Sequence, residues 1–331
     1  MLPAQQQLYG IPLCKQVKGA LAILIVLMLH HVTLYDMELS DDAFHAALPP
    51  HVETWYFEAI FENNESMVFM ITTVSDGREG ILMTGMHLYR HGALIHEKRT
   101  LHASFYLSDE APLVVVDEKE IMKGFLNAQH NICYRLSYFS DSASFNLMFE
   151  NTTKGWKNRD ETWIAVPQLQ VRGNISYGGE EKEVTGKGYH DHNIFFFSAP
   201  LVQRGYFNGK ILAEDCSIFW ARLMKRMAPA EDFVVFSNGS YMLFSENVTI
   251  RCSRYVLNHG ILIPTVFSIY AANDSLCINV TLSTHTVHFI RLPFVRYWRY
   301  HVYADGTITQ GGKIIPVRTY DMMEYLRFTW F

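Results

Sequence analysis

The sequence predicts an all-β fold: two tandem antiparallel β-barrels or sandwiches after an N-terminal hydrophobic helix. Three observations predict it. Beyond Asp42 the apolar residues recur with period two in strand-length segments. Turn residues separate those segments at hairpin spacing, as at Asn63-Asn64, Asp76-Gly77, His91-Gly92, Gly178-Gly179, Asn238-Gly239, Asn258-His259-Gly260 and Asp305-Gly306. Aromatic residues, which suit strands and apolar pockets, make up 14% of the 331 residues, against 18% charged.

The N-terminal element is the run from Gly19 to Tyr35, which carries no formal charge. Lys15 and Lys18 precede it, and Asp36, Glu38, Asp41 and Asp42 come after, an asymmetry that places the N-terminus in the cytoplasm and the rest outside. The run is short against the ~20 residues of an ordinary spanning helix, so a cleaved secretory signal is the alternative. No small-x-small cleavage site follows it, which favours a membrane anchor through residues 19–35. Seven Asn-x-Ser/Thr sites, at Asn64, Asn151, Asn174, Asn238, Asn247, Asn273 and Asn279, also point to an exported, glycosylated chain. Cys14 lies before the run. Cys133, Cys216, Cys252 and Cys277 lie beyond it and leave open one or two disulfides or four buried thiols.

Strands are expected at Thr54–Phe61, Met67–Thr73, Leu82–Tyr89, Leu101–Leu107, Ile132–Phe139, Ala143–Phe149 and Leu169–Ser176. The second half adds Phe233–Val235, Tyr241–Phe244, Asn247–Cys252, Val266–Tyr270, Cys277–Leu282, Val287–Leu292 and Trp298–Tyr303. Helical periodicity is confined to Glu118–Asn127 and Asp321–Leu326, which are expected as short helices. So many strands exceed one eight-stranded barrel. The expected division is therefore residues 1–42 as anchor or signal, 43–200 as the first barrel and 201–331 as the second, with the seam near Pro200–Gly209.

The densest cluster of chemistry is Gly186-Lys187-Gly188-Tyr189-His190-Asp191-His192-Asn193. In a strand, Tyr189, Asp191 and Asn193 share one face, and His190 and His192 share the other. Ile194-Phe195-Phe196-Phe197 comes immediately after, setting the Asp191 carboxyl beside apolar surface. Burial there raises a carboxyl pKa and keeps the proton that a general acid needs. Glu53, beside Trp55-Tyr56-Phe57, reads as a pocket anchor or as a barrel-mouth ion pair with an Arg.

These residues, with Glu53-Thr54-Trp55-Tyr56-Phe57 and Trp163-x3-Pro167, resemble the hydroxyneurosporene synthase (carotenoid 1,2-hydratase) family and its lipocalin-like relatives. The resemblance covers roughly residues 42–219. It implies two lipocalin-like barrels enclosing a long apolar ligand, with Tyr189 and Asp191 matching the family's acid pair and Trp163 an aromatic of the site. The chain departs from the pattern in three places. Thr54 stands for a Trp, Ile194-Phe195 for Trp-Gly, and Glu161 for the His two residues before Trp163.

The resemblance implies acid-catalysed hydration of an isoprenoid or carotenoid-like alkene, a hydro-lyase reaction. Asp191 is then the acid, Tyr189 its partner and Glu161 the residue that orients water. Trp55, Tyr56, Trp163, His190, His192 and Asn193 hold the ligand, and aromatic faces stabilise the cation. The alternative is a non-catalytic lipid-binding or scaffold protein, in which the Tyr-His-Asp-His-Asn string is a buried network joining two barrels; ring-forming cycloaddition is a third reading. His190 and His192 would suit zinc or copper, with His87, His91, His96 and His102 upstream. No third ligand stands out, so neither metal nor cofactor is expected. A net charge of −5 excludes nucleic acid, and phosphate loops and serine-nucleophile elbows are missing from the sequence.

Overall fold

A computed structural model describes residues 32–292 and 294–329, and they are almost entirely strand. The first half forms β1 (Leu34–Asp36), a 3-10 turn at Leu39–Asp42, β2 (His51–Phe61), β3 (Glu65–Ser75), β4 (Gly80–Arg90), β5 (Ala93–His102), β6 (Phe105–Leu107), β7 (Leu113–Val116), β8 (Lys119–Leu126), β9 (Ile132–Phe139), β10 (Ala143–Asn151), β11 (Trp156–Asn158), β12 (Trp163–Tyr177) and β13 (Glu180–Phe196). A single helical turn, α1 (Ala199–Val202), leads into the second half. There come next β14 (Gln203–Leu212), β15 (Ser217–Lys225), β16 (Glu231–Asn238), β17 (Ser240–Phe244), β18 (Val248–Asn258), β19 (Ile261–Ala272), β20 (Leu276–Leu292), β21 (Val295–Gln310) and β22 (Lys313–Phe328).

The two halves are two separate antiparallel sheets of 13 and 9 strands, curled into a nearly closed barrel and a half-barrel. Both use the same closure: the last long strand returns to pair with the first, β13 with β2 and β22 with β14. Each sheet wraps its own apolar core. The first core holds Trp55, Phe57, Phe69, Phe145 and Phe149; the second holds Trp220, Phe267, Trp298 and Tyr300. A third apolar cluster joins the barrels, with Tyr56, Trp156 and Tyr189 from the first and Phe219, Phe233 and Met322 from the second.

That third cluster explains the sequence pattern. The closing strands are buried on both faces, one towards a barrel core and one towards the junction. Every residue over 188–192 and 321–325 is therefore buried, polar ones included, and no period-two alternation of apolar with polar residues marks these stretches. This corrects the expected helix at Asp321–Leu326. The segment is the end of β22, with Met322 in the junction and Met323 and Tyr325 in the second core. The expected helix at Glu118–Asn127 is likewise a strand. Asp117 and Glu118 both take positive φ (48° and 63°), making a tight hairpin turn from which β8 departs. The stretch Leu101–Leu107 is broken between β5 and β6.

The N-terminal part of the folded chain also differs from expectation. Leu34–Asp36 pairs with Trp156–Asn158, and the turn at Leu39–Asp42 carries Asp42 into the first barrel, where it is buried. Residues 34–35 of the apolar run are thus strand, and residues 19–31 lie outside the described residues. Among the described residues no helix is long and apolar enough to cross a membrane. Cys133, Cys216, Cys252 and Cys277 are free thiols. Six of the seven Asn-x-Ser/Thr asparagines are exposed, and Asn151 is half-buried.

Candidate functional site

The alternation of β13 divides its side chains between two environments. Tyr189, Asp191 and Asn193 face the junction between barrels, whereas His190 and His192 face the interior of the first barrel. At the junction Asp191 is buried. Its Oδ2 accepts a hydrogen bond from the Tyr189 hydroxyl (2.9 Å), and its Oδ1 accepts one from Asn193 Nδ2 (2.7 Å). Burial pushes its pKa up to about 6. The nearby Lys210 charge and the Tyr189 hydrogen bond resist that rise, and Glu324 adds to it.

Aromatic rings pack the junction beside Tyr189. Tyr189 stacks on Phe219 with centroids 5.9 Å apart. Trp163 packs edge-on against Phe219 (5.0 Å), Phe233 (5.6 Å) and Trp156 (5.2 Å). The indole N–H groups of Trp156 and Trp163 are buried without a hydrogen-bond partner.

Beside this aromatic wall lies a layer of buried charge. Lys210 Nζ, from β14, is 2.9 Å from Glu58 Oε2 of β2, and the Tyr56 hydroxyl donates to the same oxygen at 2.8 Å. The ammonium also sits over the Tyr56 and Tyr189 rings, 4.8 and 4.5 Å from their centroids. Arg299 of β21 is buried too. It donates to the hydroxyls of Tyr89 (2.9 Å) and Tyr297 (3.2 Å), and Tyr297 hydrogen-bonds Glu324. Two cations thus share the layer with three carboxyl groups, Asp191, Glu58 and Glu324. An excess negative charge in a buried site is relieved by holding a proton, and burial raises the pKa of both Asp191 and Glu58.

A cavity of about 320 Å³ opens farther along the junction. Ile60, Gln168 and Lys187 line it from the first barrel and Leu212, Tyr320 and Asp321 from the second. Asp321 accepts from the Leu212 N–H (3.0 Å) and from the Thr319 hydroxyl, and burial pushes its pKa up to about 7. Lys187 Nζ and Gln168 Nε2 both donate to the Ala213 carbonyl at 3.1 Å.

The other face of β13 meets a different cluster. His192 stacks on Trp55 (4.4 Å) and His190 on Phe57 (4.0 Å). His192 Nδ1 lies 3.0 Å from Asp42 Oδ1, and its Nε2 lies 2.7 Å from Glu53 Oε1. His190 Nε2 lies 3.0 Å from Asp42 Oδ2 and its Nδ1 2.9 Å from the Tyr56 carbonyl. His45 Nδ1 and His51 Nε2 each lie 2.9 Å from Glu53. Burial alone would raise the pKa of Asp42 and Glu53, yet these imidazoles hold both well below the usual carboxylate range. The same two carboxylates, acting against burial, lift His192 to about 9.

The structure therefore brings together Tyr56, Trp163, Tyr189, Asp191 and Asn193 at the junction. It moves Trp55 away from that wall: Trp55 points the opposite way from Tyr56 and belongs with His190 and His192 inside the first barrel. Glu161 is corrected as well. It is exposed on the turn before β12, with φ 53°, and pairs with Lys157 at 2.7 Å, so it does not reach Asp191 as a water-orienting group. Glu53 pairs with three histidines and not with an Arg. The second-barrel residues Lys210, Arg299, Asp321 and Glu324 belong to no motif in the sequence; their one signal is a charged side chain within an otherwise apolar stretch of strand.

The fold is shared with solved structures. The chain superimposes on a protein designated AttH from Nitrosomonas europaea with a TM-score of 0.65 and 13% identity, over 88% of this chain and 96% of that one. It also matches CghA in complex with Sch210972, with a TM-score of 0.63 and 9% identity over 90% and 98% of the two chains. Kievitone hydratase from Nectria haematococca gives a TM-score of 0.60 and 11% identity over 89% and 93%. No protein-family model and no curated protein matches the sequence. At these identities the likeness establishes a common fold.

Proposed function

We propose that the protein binds a hydrophobic small molecule, an isoprenoid or carotenoid-like alkene, between its two barrels and hydrates it by proton transfer from Asp191. One observation carries this reading. A buried carboxyl with a pKa raised to about 6 accepts the Tyr189 hydroxyl at an inter-barrel seam packed with aromatic rings. Protonating an alkene carbon requires a desolvated acid and a wall that tolerates a carbocation; Tyr189, Trp163, Phe219 and Phe233 supply the π faces. Water then attacks the cation and returns a proton to the carboxylate, so the acid is regenerated. A neighbour of the same fold that bears the name hydratase supports the reaction class. The exposed Asn-x-Ser/Thr sites support placing the folded part on the exported side of a membrane.

A second reading is favoured by the packing itself. Asp191 already has two good hydrogen bonds, and side chains of both barrels pack around it, as in a network that fixes two domains together. In that case the protein binds or scaffolds without chemistry, and the 320 Å³ cavity beside Asp321 is the ligand site. Lipid extraction of the purified full chain, and then incubation of the recovered polyisoprenoid with the protein in D2O, separates the readings. The hydration reading expects deuterium and a hydroxyl in the product, and an Asp191→Asn variant that binds as tightly but does not turn over. A variant that unfolds before any binding is lost, with no product from the wild type, supports the scaffold instead.

A further inference from the structure

We propose that the mouth of the first barrel is a divalent-metal site of zinc type, with His45 Nδ1, Glu53 Oε1 and His192 Nε2 as ligands. The site is distinct from the junction and independent of the proposed hydration. Its three donor atoms come from three places in the chain: the loop before β2, β2 itself and β13. All lie within 4.8 Å of one another. Glu53 Oε1 stands between the two nitrogens, 2.9 Å from His45 and 2.7 Å from His192. Tetrahedral zinc with bonds of ~2.0–2.2 Å spaces its donors by ~3.3 Å, so both Glu53–histidine separations must widen by about half an ångström to admit the ion while the two nitrogens, now within 4.8 Å, settle to the same spacing.

The surroundings match the way metal ligands are held. His192 presents Nδ1 to Asp42 Oδ1 at 3.0 Å, so a carboxylate backs the imidazole whose other nitrogen would bind the metal. Asp42 is in turn fixed by His190 and takes the Trp55 indole N–H on its carbonyl (3.0 Å). The second oxygen of Glu53 is held by His51, whose Nδ1 is anchored on the Pro49 carbonyl at 2.8 Å. Stacking on Trp55 fixes the ring plane of His192.

A further observation points to a cation. Both ring nitrogens of His192 are fully buried and face carboxylate oxygens at ion-pair distance, Asp42 Oδ1 at 3.0 Å and Glu53 Oε1 at 2.7 Å. A neutral imidazole cannot donate from both nitrogens, so either a second proton or a metal ion must hold it there. His45 is the least buried ligand (17% side-chain exposure). With three protein ligands the fourth position is open to water.

The test is titration of the full chain, freed of metal by a chelator, with Zn2+ alone by calorimetry and with Co2+ by visible absorption. One equivalent per chain, a tetrahedral Co2+ spectrum and a higher melting temperature are expected. His45→Ala, which removes the most exposed ligand, should lower the affinity at least ~10-fold and abolish the Co2+ spectrum while circular dichroism stays native. His288→Ala, in the separate His87–Glu97–His288 group, should change neither. Failure of the wild type to bind either ion, or binding insensitive to His45→Ala, would overturn the inference and leave a proton-bridged plug at the barrel mouth. Since hydration at Asp191 is measured separately, either claim can fail alone.

Discussion

Glu58 and Lys210, one from each barrel, form an ion pair at 2.9 Å with both side chains buried. A pair of this kind is a weak source of net stability, but breaking it leaves a stranded charge. Lys210→Met should therefore destabilise the protein by about 3–5 kcal/mol in urea unfolding. The double variant Glu58→Gln/Lys210→Met should recover most of that loss. Additive losses would show that the two groups are not coupled.

Stability should depend on pH through the junction carboxyls. The folded pKa of Asp321 is about 7 against an ordinary value of 3.8. The folded state thus binds more protons than the unfolded state between these values, and stability falls as pH rises through that window. Glu58 and Lys187 are the charges that act on it. Asp321→Asn removes the titration, so the variant should gain on the wild type by a few kcal/mol between pH 4 and pH 7, then keep a constant difference above it. A difference that does not vary with pH would place Asp321 in contact with solvent.

The two glycines before Tyr189 are there for space. A Cβ on Gly188 would meet the Glu58 carbonyl and Phe149 at 2.8 Å and Val171 at 2.7 Å, and one on Gly186 would meet the Ile60 carbonyl at 2.2 Å. Those neighbours are mostly backbone and packed side chains, which cannot yield cheaply. Gly188→Ala should cost about 1–3 kcal/mol by thermal unfolding, whereas Gly239→Ala, which meets nothing within 4 Å but has a positive φ (70°), should cost less than that.

Legibility in the sequence depended on the range of the interaction. The alternation of Tyr189, Asp191 and Asn193 against His190 and His192 is a property of one strand, and the sequence showed it. The environment of Trp55 is set by the register of β2 on β13, which puts Trp55 opposite His192 and Tyr56 opposite Asp191, and one strand's sequence does not carry that register. The convergence of Asp42, His45 and Glu53 on His192 depends on the same pairing, which joins the two ends of the first barrel. Lys210 and Arg299 arrive from another sheet altogether. Asp321–Leu326 read as a helix because a strand buried on both faces has no period-two signal to distinguish it.

The proton on Asp191 is the point on which the proposed chemistry turns, and it can be observed directly. Infrared difference spectra of the full chain across pH 3 to 9, with Asp191→Asn subtracted, isolate its carboxyl stretch. A protonated band should be present at low pH and disappear with a midpoint near pH 6. A carboxyl already ionised above pH 4, as for an ordinary solvated aspartate, would contradict a proton-bearing acid at the junction.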